Sequence, residues 1–272
     1  MTNLGKLGIW RAATQADGDF ARRAEALGYG AVWLGGSPGG DLAVAEQALD
    51  ATENLTVATG ILNIWQDTPA SAAQAFHRIE RAHPGRFLLG IGAGHREATA
   101  EYRSPYRALV DFLDGLAGEG VPSDRIVLAA LGPKVLTLAA DRTAGAHPYL
   151  TTAEHTRQAR RILGDGPLLA PEQKVVLDED DARGRETGRK TVTFYLGLRN
   201  YVANLQRLGY SDADVQSPGS DRLIDVLAVH GDGDAIAAGV RAHLDAGADH
   251  VVVQALGADP WPALEAIAQR LL

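Results

Sequence analysis

The chain contains no cysteine, which excludes disulfides, thiolate zinc sites, iron–sulfur clusters and a cysteine nucleophile. Without disulfides to form, a reducing compartment suffices, and a cytoplasmic location is expected. Long apolar runs are also missing: none approaches the roughly 20 residues of a membrane span, and residues 1–10 lack the apolar core of a secretory signal. Lysine stands only at positions 6, 134, 174 and 190. With 26 basic residues scattered against 34 acidic ones and a formal net charge of −8, nucleic acid is not an expected partner. No Ser-, Gly- or Pro-rich linker and no low-complexity tract divides the 272 residues, so a single domain over 1–272 is expected.

What is present is alternation. Short apolar runs at 7–10, 31–34, 56–62, 87–92, 126–130, 145–150, within 168–177, and at 250–254 read as eight strands. Their near-continuous hydrophobicity suits parallel strands covered on both faces. Amphipathic segments at 17–27, 42–50, 70–83, 106–116, 134–142, 154–163 and 262–272 lie between and after them. Strand followed by helix, eight times over, predicts an α/β protein with a (β/α)8 TIM-barrel fold. Gly28, Gly145 and Gly247 stand where a helix gives way to a strand, and each is expected at a left-handed helix C-terminus. Residues 179–232 break the pattern, with an acidic helix start and a turn-rich stretch, and predict a helical or irregular insertion between the seventh and eighth strands.

In such a barrel the functional face is formed by the loops that follow the strands. Here they offer Trp10, Gly35 and Gly36, Asn63 and Trp65, Gly92 to His95, Leu131 to Lys134, His147 and Tyr149, and Glu172. Glycine lets a flat ligand approach the backbone, and tryptophan supplies a stacking surface. Metal hydrolysis has little support: His77 and His83 are six apart, and no His-Glu-x-x-His occurs. Gly35-Gly-Ser37-Pro-Gly39 matches the form of a nucleophile elbow, but Pro38 has no N–H for an oxyanion hole. Gly90-Ile-Gly92-Ala-Gly94 lacks the spacing of a dinucleotide loop. At Ala129-Ala-Leu-Gly132-Pro133, a tight turn with Pro at the first helical position either leaves backbone N–H groups for a phosphate or is an ordinary βα turn.

The run Thr59-Gly-Ile-Leu-Asn63, then Pro69 through His83 to Phe87-Leu-Leu-Gly-Ile-Gly92-Ala-Gly94, together with Glu25-Ala-Leu-Gly28-Tyr-Gly-Ala-Val-Trp33, resembles the bacterial luciferase-like monooxygenase superfamily. It looks most like an actinobacterial branch of F420-dependent oxidoreductases. The resemblance implies a deazaflavin (coenzyme F420) or, alternatively, an FMN ring in the barrel mouth, and a non-prolyl cis peptide at Gly60–Ile61; on the residues themselves no metal is expected. It further implies that Gly92, Ala93, Gly94 and His95, with Ala129, Ala130, Leu131 and Gly132, line the ring edge, ribityl chain and phosphate.

Two departures matter. Gly35-Gly36 replaces the acidic residue and histidine that relatives acting on sugar phosphates or alcohols carry, and His95 replaces a glutamate. Proton donors are therefore sought in His95 and His147, with Tyr149 and Glu172 beside them. A substrate pocket of Trp10, Gly35, Gly36, Asn63, Trp65, Tyr149 and Glu172 is expected. The leading expectation is hydride transfer between F420 and a small, largely apolar organic substrate. The alternatives are an FMN-dependent monooxygenase using O2 and a non-catalytic cofactor carrier. Barrels of this superfamily commonly form homodimers. The short loops predict an open mouth, with any lid supplied by the loop after the third strand or by residues 179–232.

Overall fold

A computed structural model describes residues 4–95 and 104–272. The first half of the chain forms β1 (Leu7–Ala12), α1 (Gly18–Ala26), β2 (Ala31–Gly35), α2 (Ala43–Asp50), β3 (Thr56–Thr59), β4 (Leu62–Asn63), α3 (Pro69–Ala82), β5 (Phe87–Gly92), α4 (Pro105–Gly118) and β6 (Ile126–Leu128). After these come α5 (Pro133–Arg142), β7 (Gly145–Ala146), α6 (Ala153–Leu163), β8 (Leu168–Leu169) and β9 (Glu172–Leu177). The insertion and the closing elements are α7 (Asp181–Leu196), α8 (Arg199–Arg207), α9 (Asp212–Val215), α10 (Asp221–Leu227), β10 (Ala228–Gly231), α11 (Gly233–Asp245), β11 (Val251–Ala255) and α12 (Trp261–Leu271). Helix starts follow local chemistry. Asp17, Thr68, Thr152, Asp180 and Asp232 each accept a hydrogen bond from the backbone three residues on, satisfying a donor the helix leaves free.

Every strand pair is parallel, and the ring closes. β1 pairs with β2 on one side and β11 on the other, with Leu7 opposite Val251, and pairing runs in order from β2 round to β8. β8 and β9 act as one barrel strand. Along one edge Ala170 N and Glu172 N donate to Ala146 O and Pro148 O, both at 2.9 Å, while along the other Val252 N donates to Pro171 O at 2.9 Å. Apolar side chains therefore sort into two cores. Outward-facing Leu7, Ile9, Val32, Leu34, Phe87, Leu89 and Ile91 pack against the helices. Inward-facing Ala31, Trp33, Ala58, Leu88, Val127, Ala170 and Val252 fill the barrel.

The third strand is broken. Val57 and Ala58 face Phe87 and Leu88, but Leu62 and Asn63 face Ile91 and Gly92, so the register slips by one residue and 60–61 form a bulge. The Thr59 hydroxyl fills the interrupted ladder, donating to Gly90 O at 2.7 Å and accepting from Gly90 N at 2.8 Å. The Gly60–Ile61 peptide within the bulge is cis.

Gly28 and Gly247 have the expected positive φ, 91° and 102°, just past α1 and α11. Gly145 does not end a helix. It opens β7, where a Cβ would lie 2.0 Å from Leu168 O, so the residue is small because two strands approach there. The insertion is expected to be helical or irregular. It holds four helices and an additional strand, β10, that pairs with the outer half of β9. Helix α7 settles on that strand because Gly184 and Gly188 face it; a Cβ at these positions would meet His230 Cβ at 2.8 Å and Ala228 Cβ at 2.6 Å. No helix among the described residues is long and apolar enough to cross a membrane.

Candidate active site

The C-terminal ends of the strands bring most of the sequence-selected residues to one face. Trp10 lies across it. Its indole N–H donates to Gly60 O at 3.2 Å, and a Cβ on Gly35 would fall 1.9 Å from Trp10 Cζ2. Glycine at position 35 is therefore the space that the indole occupies. Gly36, with φ 78°, has nothing within 4 Å of its Cβ position and borders open space. Asn63 is buried and ties two loops together. Its Oδ1 accepts from Trp65 N at 3.1 Å, and its amide packs where a Gly94 Cβ would stand. Trp65 donates from its indole to Ala93 O at 2.6 Å. Gly60, Ile61, Ala93, Gly94, Ala129, Leu131 and Gly132 are half-exposed along this rim, whereas Gly92 and Ala130 are buried behind it.

Beside Gly132 the insertion adds a cation. The Arg207 guanidinium of α8 lies 3.3 Å from a Cβ position on Gly132, at the N-terminus of α5, and is held by Asn204 Oδ1 at 2.8 Å. His155 Nε2 donates to Leu131 O at 2.9 Å and fixes the loop from behind. Burial holds the His155 ring below the ordinary imidazole pKa, opposed by its bond to Leu131 O.

The two candidate histidines occupy different layers. His95 is half-exposed on the rim, where its Nδ1 donates to Asn200 Oδ1 at 3.3 Å and its ring lies 5.3 Å from that of Tyr201. It joins the loop after β5 to helix α8. His147 instead sits inside the barrel, 1% exposed and stacked on Trp33 at 4.3 Å. Its Nδ1 lies 2.7 Å from Ala170 O, and burial pulls its pKa down to about 4.

Glu172 is likewise enclosed. At 1% exposure it faces Lys174, itself 0% exposed, with Nζ at 3.0 and 2.9 Å from the two carboxylate oxygens, and it accepts from Leu150 N at 3.1 Å. Burial raises the carboxyl pKa and lowers that of the ammonium, while each partner opposes the shift of the other. The Lys174 ammonium also lies 3.9 Å from the Tyr149 ring centroid. Above this pair, the Tyr149 hydroxyl donates to Gln254 Oε1 at 2.9 Å and accepts from Tyr195 at 2.8 Å. Tyr195 and Tyr201, from the insertion, pack edge to face at 5.3 Å.

The mouth is therefore not open all round as the short loops suggested. The insertion, one of the two segments from which a lid is expected, packs against the loops after strands four, five and six through His95, Gly132 and Tyr149. Sequence reasoning missed Lys174, Gln254, Tyr195, Tyr201, Trp33 and His250. For Lys174 a signal existed: Glu172-x-Lys174 within an apolar strand puts both side chains on one face, which in a barrel is the inside.

No curated protein sequence matches the chain. Residues 12–118 match the family described as luciferase-like monooxygenase. Among solved structures, the chain is similar to an F420-dependent secondary alcohol dehydrogenase in complex with an F420–acetone adduct, with TM-score 0.75, 16% identity and 97% of each chain covered. It is similar to the coenzyme F420-dependent tetrahydromethanopterin reductase of Methanopyrus kandleri, with TM-score 0.70, 16% identity and 97% of each chain covered. The FMN-bound oxygenating constituent of 3,6-diketocamphane monooxygenase from Pseudomonas putida gives TM-score 0.66 at 16% identity, over 98% of this chain and 99% of that one. Residues 12–118 are thus similar to the luciferase-like monooxygenase family, and nearly the whole chain shares the (β/α)8-barrel fold of these structures.

Proposed function

We propose that the protein is an F420-dependent oxidoreductase acting on a small, largely apolar organic substrate. The observation that carries this reading is the half-exposed rim of Gly60, Ile61, Ala93, Gly94, Ala129 and Gly132 on a barrel whose structural neighbours include F420-dependent enzymes. Small residues leave room for a flat tricyclic ring against the backbone. The residues fit such a group at its other end too, because the Arg207 guanidinium beside the α5 N-terminus suits a phosphate. Bound there, F420 would supply a ring carbon that gives or takes hydride.

This chain's own residues would orient and shield. Trp10 and Trp65 present indole faces to an apolar substrate, and the insertion's Tyr195 and Tyr201 keep water from the strand-six side. His95 at the rim has its Nδ1–H directed at Asn200 and is the solvent-facing group placed to exchange a proton.

Titration of the purified protein with F420 and with FMN, followed by fluorescence, tests the reading. Preferential F420 binding supports it, and failure to bind either removes it. Tight FMN binding with oxygen uptake by the reduced complex would assign a monooxygenase instead, as the FMN-bound neighbour suggests for that fold. Stable F420 binding without turnover across a broad substrate screen would assign a carrier.

A further inference from the structure

Trp33 lies inside the barrel beside two imidazoles that are equally deep but differently satisfied. On one side, His250 Nδ1 lies 2.9 Å from Gly5 O, and its Nε2 receives the Trp33 indole N–H at 3.1 Å. On the other, His147 Nδ1 lies 2.7 Å from Ala170 O. A carbonyl oxygen only accepts, so in both rings Nδ1 carries the proton and Nε2 offers a lone pair. For His250 that lone pair is used. For His147 it is not: Nε2 is buried and has no hydrogen-bond partner among the described residues.

A buried acceptor left unpaired costs about 1–3 kcal/mol, and native structures satisfy the great majority of such groups. Nε2 points toward the functional face. It lies 3.2 Å from the Cβ position of Gly60, and the same position is 3.5 Å from the edge of the Trp10 indole. The cover between His147 and the mouth is thus a glycine and one half-buried side chain, Trp10, whose anchoring bond to Gly60 O is 3.2 Å long. The ring cannot serve as a proton donor from Nε2 in this tautomer, and burial keeps it neutral down to about pH 4.

We infer that His147 is a binding residue whose Nε2 accepts a hydrogen bond from one N–H or O–H group of the molecule held in the mouth, which moves the Trp10 indole aside to reach it. The donor is presented by an otherwise apolar or aromatic ligand, because Trp33 stacks on the His147 ring while Gly60 and Trp10 lie between Nε2 and the mouth. Two sources share this chemistry, the imide N–H of a flavin-type ring and the hydroxyl of an alcohol substrate. The first source rests on the cofactor reading above, whereas the second does not.

The test uses the full chain labelled with 15N-histidine. In the free protein, the His147 Nε2 resonance should be that of an unprotonated nitrogen, and it should move upfield when a donor binds. Ligands are compared in pairs: FMN against N3-methyl FMN, and cyclohexanol against methoxycyclohexane. The wild-type protein should bind the N–H or O–H member about tenfold more tightly than its methylated partner, the yield of one hydrogen bond. His147→Phe should lose that preference, and His147→Gln, which keeps an acceptor, should restore part of it. Discrimination within the flavin pair assigns the acceptor to the ring, and discrimination within the alcohol pair assigns it to substrate. If ligands bind but neither pair is distinguished and Nε2 does not move, the inference is wrong and the ring is structural. If neither F420 nor FMN binds, the cofactor reading fails, and the alcohol pair and its Nε2 shift still decide the inference.

Discussion

Lys174→Met would remove the ammonium that sits 2.9 and 3.0 Å from the Glu172 carboxylate, at a place where neither side chain meets solvent. Removing one partner of a buried pair costs about 3–5 kcal/mol, because the remaining charge has lost its compensation. Glu172 keeps its bond from Leu150 N, and Met fills most of the lysine volume, so the lower end, about 3 kcal/mol, is expected. With a urea dependence of about 3 kcal/mol/M, the midpoint should fall by about 1 M. The loss should depend on pH. Without Lys174 the folded-state pKa of Glu172 rises further above its unfolded value. The variant then keeps its stability below the unfolded value and loses it as pH rises through the folded one. The gap to wild type should therefore narrow on acidification and widen toward neutrality. Lys174→Met combined with Glu172→Gln removes both charges and should recover most of the loss. Urea titrations followed by circular dichroism at two pH values measure all of this. A single variant costing less than about 1 kcal/mol, or a double variant no better than the single, would refute the reasoning.

Other predictions concern the mouth and the barrel axis. Gly35→Ala places a methyl where the Trp10 indole lies, so Trp10 should swing outward with a red-shifted fluorescence and a cost of about 1–3 kcal/mol; unchanged emission would show that the indole was not seated there. His147, His243 and His250 are each held near pKa 4 by burial. Their depressed values give stability that is present above the ordinary imidazole pKa and lost as pH falls toward about 4. From pH 6.5 to 5.5 the loss should be about 1 kcal/mol for each and about 3 kcal/mol together, read from urea midpoints. Tyr195→Phe removes the bond to the Tyr149 hydroxyl and should speed hydrogen exchange in α7 and α8 while leaving the barrel strands unchanged.

Much of the architecture was legible because it is written in periodicity. Eight apolar runs alternating with amphipathic ones specify strand and helix locally, and parallel strands covered on both faces leave few arrangements other than a barrel. Gly28 and Gly247 could be assigned from neighbours in sequence, since a helix C-terminus is a local event. Gly145 could not, because what restricts it is Leu168 on another strand. The strand β10 was hidden for a similar reason: Ala228–Gly231 is short and becomes a strand only because β9 offers it an edge and α7 a cover.

The sequence by itself determined the fold class and which small residues would stand at the C-terminal ends of the strands, because each follows from spacing along one strand or one loop. The tertiary structure alone decided what the polar groups can do. Glu172, offered by the sequence as a proton donor, is locked to Lys174 inside the barrel, and His147, offered as another, became a neutral acceptor once Ala170 claimed its proton. Protonation and hydrogen-bond role depend on burial and on partners far away in the chain, and those exist only after the barrel has closed.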